Sequence, residues 1–217
     1  MVLDATYGMD FEKARQGISE IKAYSPDHPA ISFMEAVLIY WDNFPLYIDH
    51  PKSEEFINLM EDCINNSESW EEETNEMEAM FFDLFGRAFL IMFWADNGKS
   101  SKVFPHINTL YRNTVKGFDL KDQFNEFYFT TGLYNYYIEA YPEKYPVYRP
   151  FVIFFKHGDE ELGLEQLKYC AENATFLRVE AKLFLSLLYL NYESNIDSAV
   201  TFTSIVCMSS ISLSVIV

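Results

Sequence analysis

The residue types that most often carry out catalysis are present, but their spacing forms no recognisable catalytic motif. The four histidines, His28, His50, His106 and His157, are scattered and stand beside Pro or Gly, which is typical of turns. A histidine-based metal site would need the fold to bring distant residues together. The sequence contains no P-loop, HExxH, GxSxG or EF-hand pattern. We therefore predict that the chain is not an enzyme and holds no metal or cofactor.

Cysteines and carboxylates support the same interpretation. Cys63, Cys170 and Cys207 are far apart and odd in number, so they indicate no disulfide framework and are predicted to be small buried residues. Adjacent acids such as Asp159 and Glu160 are expected by chance among 33 acidic residues, and Asp159 is predicted to cap a helix. A hydrolase with two facing carboxylates, about 5 to 10 Å apart, is kept as a third alternative.

The net charge excludes two large classes of partner. At −17 the chain would be repelled by the phosphate backbone of nucleic acids and by anionic membrane surfaces. Much of the acid lies between Glu68 and Glu78, where a solvated helix face is the simplest interpretation. A basic partner or a cation site is the alternative for that stretch.

The stretch from Tyr134 to Tyr148 is the densest polar-aromatic cluster in the chain. On a helix, Tyr137 and Tyr141 share one face, whereas Tyr136 points elsewhere. Packing between neighbouring helices is one interpretation of these rings. The other is an aromatic surface that grips a peptide or stacks on a sugar, with nearby Arg149 as a rare positive charge. The candidate partner-binding residues are therefore Tyr136, Tyr137, Tyr141 and Arg149.

The elements that must position these residues are predicted to be helices. Apolar residues recur at helical spacing, and only eight Gly and eight Pro interrupt them, which is too few for a β-sandwich. Ser69 and Glu72 fit a capping box that would begin a central helix ending near Asn97-Gly98. The helices are predicted near residues 11–21, 30–41, 53–64, 69–97, 101–116, 121–140, 147–156, 160–173, 176–192 and from 196 onward. The predicted core of the central helix is Phe81, Leu84, Phe85, Ala88 and Phe89.

Two parts of the sequence resemble tetratricopeptide-repeat proteins. Near the N-terminus, Asp10–Ala14 followed by Ile18 and Pro26 resembles the opening, large-residue and closing positions of a repeat's second helix. In the middle, Gly132–Tyr137 with Gly158-Asp159, Gly163-Leu164, Glu180-Ala181 and Tyr189–Glu193 resembles a bacterial variety of this family. The resemblance implies antiparallel helix pairs stacked as a short solenoid of about ten helices.

The same resemblance implies a non-catalytic scaffold that binds a peptide or protein partner on a concave surface, and it implies export in bacteria, to the periplasm. A glycan-binding or small-ligand-binding module that uses the Tyr-rich groove is the alternative. The N-terminal residues do not form a signal peptide, since no basic region precedes an apolar run. We predict one helical-repeat domain over residues 1–200 and an atypical uncharged tail over residues 201–217, without a membrane span.

Overall fold

The protein is all-helical throughout the part of the chain that the structure describes. The structure is a computed structural model and describes residues 2–73 and 76–203. Its α-helices are α1 (Val2–Tyr7), α2 (Phe11–Lys22), α3 (Pro29–Asp42), α4 (Ser53–Glu73), α5 (Glu76–Asp96), α6 (Phe104–Leu120), α7 (Phe127–Lys144), α8 (Arg149–Val152), α9 (Glu160–Asn173), α10 (Arg178–Asn191) and α11 (Ile196–Thr203). Short 3-10 helices cover Ser100–Lys102 and Pro146–Tyr148, and these described residues contain no strand. The predicted all-α class is therefore confirmed.

Several helix ends follow the local signals in the sequence. Helix α9 begins and ends where it was predicted, and the Asp159 carboxylate accepts a hydrogen bond from Leu162 N at 2.9 Å. Helix α5 ends at Asp96, and Gly98 adopts a positive φ of 66°, a backbone conformation that favours glycine. Asp159 accepts a backbone N–H in the first turn of α9, and Gly98 lies within one turn of the end of α5. Both signals are close in sequence to the helix end, which is why the sequence alone could predict them.

The predicted capping box at Ser69 is wrong, because α4 continues through it to Glu73. The residues of α4 that precede Ser69 include no Gly or Pro that would interrupt the helix. The hydroxyl of Ser67 donates to the carbonyl of Cys63 at 2.7 Å, which accommodates a polar residue on the buried side. The capping signal at Ser69 therefore does not begin a new helix, since no helix-breaking residue accompanies it.

The described chain divides into two compact units, the first up to Asn113 and the second from Thr114 onward. This boundary falls within α6 and inside the stretch that was predicted to be one domain. Most of the predicted tail, residues 201–217, lies outside the described residues. The two units are considered separately below.

The core of the first unit is aromatic and is formed mainly by α3, α4 and α5. Phe33, Phe56 and Phe93 are fully buried there. The predicted core residues Phe81, Leu84 and Phe85 are also buried. The prediction that Ala88 and Phe89 belong to the buried core is wrong, because both residues are half-buried. The Phe89 ring contacts Phe33 at a centroid distance of 5.7 Å but lies at the margin of the core rather than inside it.

Ala14 is buried in this unit, and the repeat resemblance predicts that it lies at a close crossing of two helices. Its side chain is fully buried on α2, which packs against α1 and α3. We expect Ala14→Leu to lower the free energy of unfolding by about 1–3 kcal/mol, because the added carbons have no space. Urea unfolding would measure the loss. Ser19→Leu adds comparable bulk on the exposed face of α2 and should change stability by less than about 0.5 kcal/mol. Equal effects of the two changes would contradict a close contact at Ala14.

The second unit is built around α7, α9 and α10. Helices α7 and α9 approach closely at two glycines. A Cβ atom added at Gly163 would lie 2.7 Å from the backbone nitrogen of Tyr136 and 2.8 Å from the carbonyl oxygen of Gly132. Only glycine fits such a distance, so the Gly132-Leu133 and Gly163-Leu164 motifs serve to bring two backbones together.

Two buried carboxylates also belong to this unit. The Glu126 carboxylate accepts hydrogen bonds from the backbone N–H groups of Thr175 at 2.6 Å and of Phe176 and Leu177 at 3.0 Å each. It therefore holds the turn between α9 and α10. Glu180, on the first turn of α10, is also buried, and burial raises its pKa to about 8.

Candidate partner-binding site

The two tyrosines at the centre of the predicted site lie in or near the core of the second unit. Tyr136 is 0% exposed, and its hydroxyl forms a short hydrogen bond with the Glu193 carboxylate. Tyr137 is half-buried, with its ring centroid 5.7 Å from that of Tyr192. Burial raises the pKa of both hydroxyls, so they stay protonated. Tyr136 has no surface to present to a partner, and the packing interpretation applies to it.

Tyr141 and Arg149, by contrast, lie on the surface. Tyr141 is 37% exposed, and its ring lies 4.8 Å from that of Tyr145, which is exposed to a similar extent. Arg149 is exposed at the start of α8. The spacing of tyrosines along α7 could not show which of its faces is outward, since both faces carry aromatic rings. Of the four predicted residues, these two remain available for contact with another molecule.

Several strongly exposed apolar residues follow Tyr141 in the sequence. Residues 145–158 connect α7 to α9, and we call them the aromatic connection. Val147 is 72% exposed, Ile153 is 71% exposed and Phe154 is 89% exposed. This stretch was predicted as a helix over residues 147–156, but the helix α8 covers only Arg149–Val152. Three strongly exposed apolar side chains therefore occur within eight residues of the chain.

The C-terminal end of the aromatic connection is held by hydrogen bonds, whereas the residues before it are exposed. The Tyr134 hydroxyl donates to the carbonyl of Lys156 at 2.8 Å, and Gly158 N donates to the Glu139 carboxylate at 2.9 Å. A Cβ atom at Gly158 would lie 2.4 Å from the carbonyl oxygen of Asn135, so glycine is required there. The exposed residues Ile153 and Phe154 therefore lie directly before a part of the chain that hydrogen bonds hold in place.

Positive charge is concentrated in this connection. Between Glu143 and Asp159 the sequence has no acid but includes Lys144, Arg149 and Lys156. The Lys144 ammonium lies 4.4 Å from the centroid of the Tyr192 ring, and the Lys156 ammonium lies 3.8 Å from that of Phe118. Both distances are in the range of cation–π contacts.

Acids lie at the margins of the connection. Glu139, which binds Gly158 N, also lies 3.9 Å from His157. The pKa of the Glu160 carboxyl is raised by burial and then by the negative charges of Glu143, Glu193 and Glu139. The surface around the connection is therefore acidic, and its centre is apolar and cationic.

Both described cysteines are buried, and two of the histidines accept hydrogen bonds from the backbone. The thiols of Cys63 and Cys170 are buried, and burial raises the pKa of both, so neither is a reactive thiolate. His28 and His50 each accept a backbone N–H at Nδ1, from Ala30 and Lys52 respectively. No group of three or more His, Cys, Asp or Glu side chains in residues 2–73 and 76–203 has the arrangement of a metal site.

A groove in the first unit has mixed charges that are already paired. Its volume is about 280 Å³, and α2, α3 and α4 line it. Arg15 pairs with Asp42, and Lys52 lies 2.6 Å from Glu55. Because these charges neutralise one another, the groove has no strong preference for a charged ligand.

The first unit also has a shorter exposed apolar stripe on α6. Phe104 is 70% exposed, and Ile107 and Tyr111 follow it at helical spacing. This stripe offers a useful comparison for the aromatic connection, since Phe104 is a large exposed ring in a different unit. Within residues 2–73 and 76–203, no helix combines the length and apolar character that would let it cross a membrane.

Neither a family model, nor a curated protein, nor a solved structure matches this chain.

Proposed function

We propose that this chain is a non-catalytic interaction module that binds a linear segment of a partner protein on the aromatic connection. One observation carries the proposal: Val147, Ile153 and Phe154 are largely exposed within a stretch of eight residues. Each such side chain contributes about 1.5–3 kcal/mol when it is fully removed from water. Evolution usually keeps such residues on a surface only when a partner covers them.

The surrounding residues suit recognition of a peptide. Tyr141 and Tyr145 add two half-exposed rings beside the aliphatic residues. Tyrosine supplies contact area with few rotatable bonds and a hydroxyl that can donate to a partner. Because hydrogen bonds hold residues 156–158 in place, this end of the connection loses little conformational entropy on binding. A glycan would use the tyrosine rings but would leave Val147 and Ile153 uncovered, which is why a peptide is the better occupant.

A tetratricopeptide-like stacking of helix pairs is part of the same proposal. Contacts along α7 and α9 run in opposite order: Tyr128 meets Tyr169, Gly132 meets Leu167, and Asn135 meets Gln166. Contacts between α7 and α10 run in the same order along both helices. Glu126 contacts Leu177 where both helices begin, and Tyr136 contacts Tyr192 further along. An alternation of antiparallel and parallel neighbours is what a helical-repeat solenoid requires.

The proposal predicts the effect of removing the exposed apolar side chains. We expect the Ile153→Ser and Phe154→Ser variants to bind peptide at least about tenfold more weakly than the wild type. Their melting temperatures should change by no more than about 2 °C, since exposed side chains contribute little to folding. Peptides about 12 residues long would be selected from a displayed random library on the wild-type protein. Their affinities for each variant would then be measured by fluorescence anisotropy.

Phe104→Ser provides the matched control for this experiment. It removes an exposed ring of similar accessibility from α6 in the first unit, and peptide affinity should stay unchanged. If no family of peptide sequences is enriched on the wild-type protein, the proposed function is wrong. If Phe104→Ser weakens binding as much as Phe154→Ser does, the aromatic connection is not the binding surface. Selective binding of oligosaccharides on a glycan array would favour the glycan alternative instead.

A further inference from the structure

The charge of the aromatic connection is opposite to that of the whole chain. The protein has a net charge of −17, with 33 acidic and 16 basic residues. From Lys144, the last residue of α7, to Lys156, however, the chain contains Lys144, Arg149 and Lys156 and no acid. Exposed apolar residues and exposed positive charge therefore occupy the same short segment. An occupant of this surface must match both properties.

Arg149 is the group best placed to recognise a charged partner. Its Nε donates to the carbonyl oxygen of Pro142 at 3.3 Å, which orients the guanidinium plane. In the described part of the chain, Arg149 forms no ion pair, and the N–H groups of its two Nη atoms bind no other residue. A guanidinium with a fixed plane and unused N–H groups is suited to a bidentate contact with a carboxylate.

The two lysines at the ends of the connection are also unpaired with acids among the described residues. Lys144 donates to the carbonyl of Asn191 at 3.1 Å and lies over the Tyr192 ring. Lys156 lies over the Phe118 ring. Both ammonium groups therefore retain their full positive charge beside the exposed apolar side chains. The two ammonium groups attract a negative group from a distance, whereas Arg149 makes the direct contact with it.

We propose that the partner segment carries a carboxylate that binds Arg149, flanked by apolar side chains that cover Val147, Ile153 and Phe154. This inference rests on the proposed function and specifies its partner. Glu139, Glu143 and Glu160 at the margins of the connection would repel a long acidic run. The preferred segment therefore has one carboxylate between apolar residues rather than a polyacidic sequence. A bilayer with anionic lipids is disfavoured, because the net charge of −17 opposes approach to it.

The peptides that are selected from the displayed library test this chemistry directly. We expect Asp or Glu next to Leu, Ile, Phe or Trp in the enriched family. Replacing that acid by its amide in a synthetic peptide should weaken binding to the wild-type protein about tenfold. Arg149→Gln should weaken binding of the acidic peptide by a similar factor. It should also remove the preference for the acidic peptide over its amide. Such a double-mutant cycle isolates the contact between the two groups. Arg149→Lys should restore part of the affinity, since it keeps the charge without the bidentate geometry.

The remaining outcomes separate this inference from the proposed function. If the enriched peptides are basic or uncharged and still depend on Phe154, the proposed function stands and the carboxylate contact is wrong. If acidic peptides bind equally well to Arg149→Gln, the contact is also wrong. The wild-type protein could instead sediment with vesicles of phosphatidylserine and phosphatidylcholine, and Phe154→Ser could abolish that sedimentation. The occupant would then be a lipid surface, and the inference would be overturned. A dimer that Ile153→Ser abolishes in analytical ultracentrifugation would make a second copy the occupant, with the same consequence.

Discussion

The Glu180→Gln variant is expected to become more stable than the wild type as the pH rises. Burial raises the pKa of Glu180 from 4.5 to about 8 in the folded protein. Between these two values the folded state binds one proton more than the unfolded state, so raising the pH favours unfolding. The free energy of unfolding of the wild type should therefore fall, relative to the variant, by about 1.4 kcal/mol per pH unit across this window. Below pH 4.5 and above pH 8 the difference should be constant.

Urea unfolding at several pH values from 4 to 9 would measure this difference, because other titrating groups contribute equally to both proteins. The control is Glu172→Gln on α9, which removes the same charge from an exposed position. The free energy of unfolding of this variant, plotted against pH, should run parallel to that of the wild type. Parallel curves for Glu180→Gln as well would show that Glu180 ionises in the folded protein as easily as in the unfolded chain.

The Glu126→Ala variant is expected to lose about 3 kcal/mol or more of stability. The carboxylate is buried and accepts three backbone N–H groups from residues 175–177, about 50 positions away in sequence. Its removal leaves those donors without their acceptor, and the N–H of Leu177 is buried where water cannot replace it. Burial raises the pKa of Glu126, whereas the hydrogen bonds from Phe176, Thr175 and Leu177 act in the opposite direction. The N–H groups therefore offset part of the cost of burying the charge.

Two measurements distinguish the loss of these hydrogen bonds from a general loss of packing. The amides of Thr175, Phe176 and Leu177 should exchange with solvent faster in Glu126→Ala than those in the middle of α9. Glu126→Gln keeps the shape and one acceptor oxygen, so its stability should lie between those of the wild type and the alanine variant. Unchanged exchange at residues 175–177 in Glu126→Ala would show that the turn does not depend on this side chain.

The sequence was sufficient for the features that depend on near neighbours in the chain. The helical class follows from apolar spacing, and the limits of α9 follow from Asp159 at its N-terminus. Glu126 could not be identified in this way, because its three partners are about 50 residues distant. The pKa of Glu180 likewise depends on burial by the tertiary fold. Long-range contacts of this kind leave no local signal in one sequence.

The exposure of the candidate site residues could not be predicted from the sequence, and the reason is physical. Tyr136 and Tyr141 are chemically identical, but the helix turns one into the core and the other outward. Sequence patterns treat apolar residues as core residues by default, which is why Ile153 and Phe154 were assigned to a packed helix. The absence of acids between Glu143 and Asp159 was the available signal that this stretch differs from the rest of the chain.

The exposed aromatic connection also has a consequence for handling the purified protein. Residues 151–155, Phe-Val-Ile-Phe-Phe, combine high β-propensity with no charge, which is the composition of segments that form intermolecular β-sheets. Arg149, Pro150 and Lys156 flank this segment and resemble the gatekeeper residues that interrupt aggregation. Replacing these residues by alanine should increase light scattering on storage, whereas an occupied surface should suppress it. The exposed apolar residues of this segment therefore favour association between copies of the protein, and the charged and proline residues on either side oppose it.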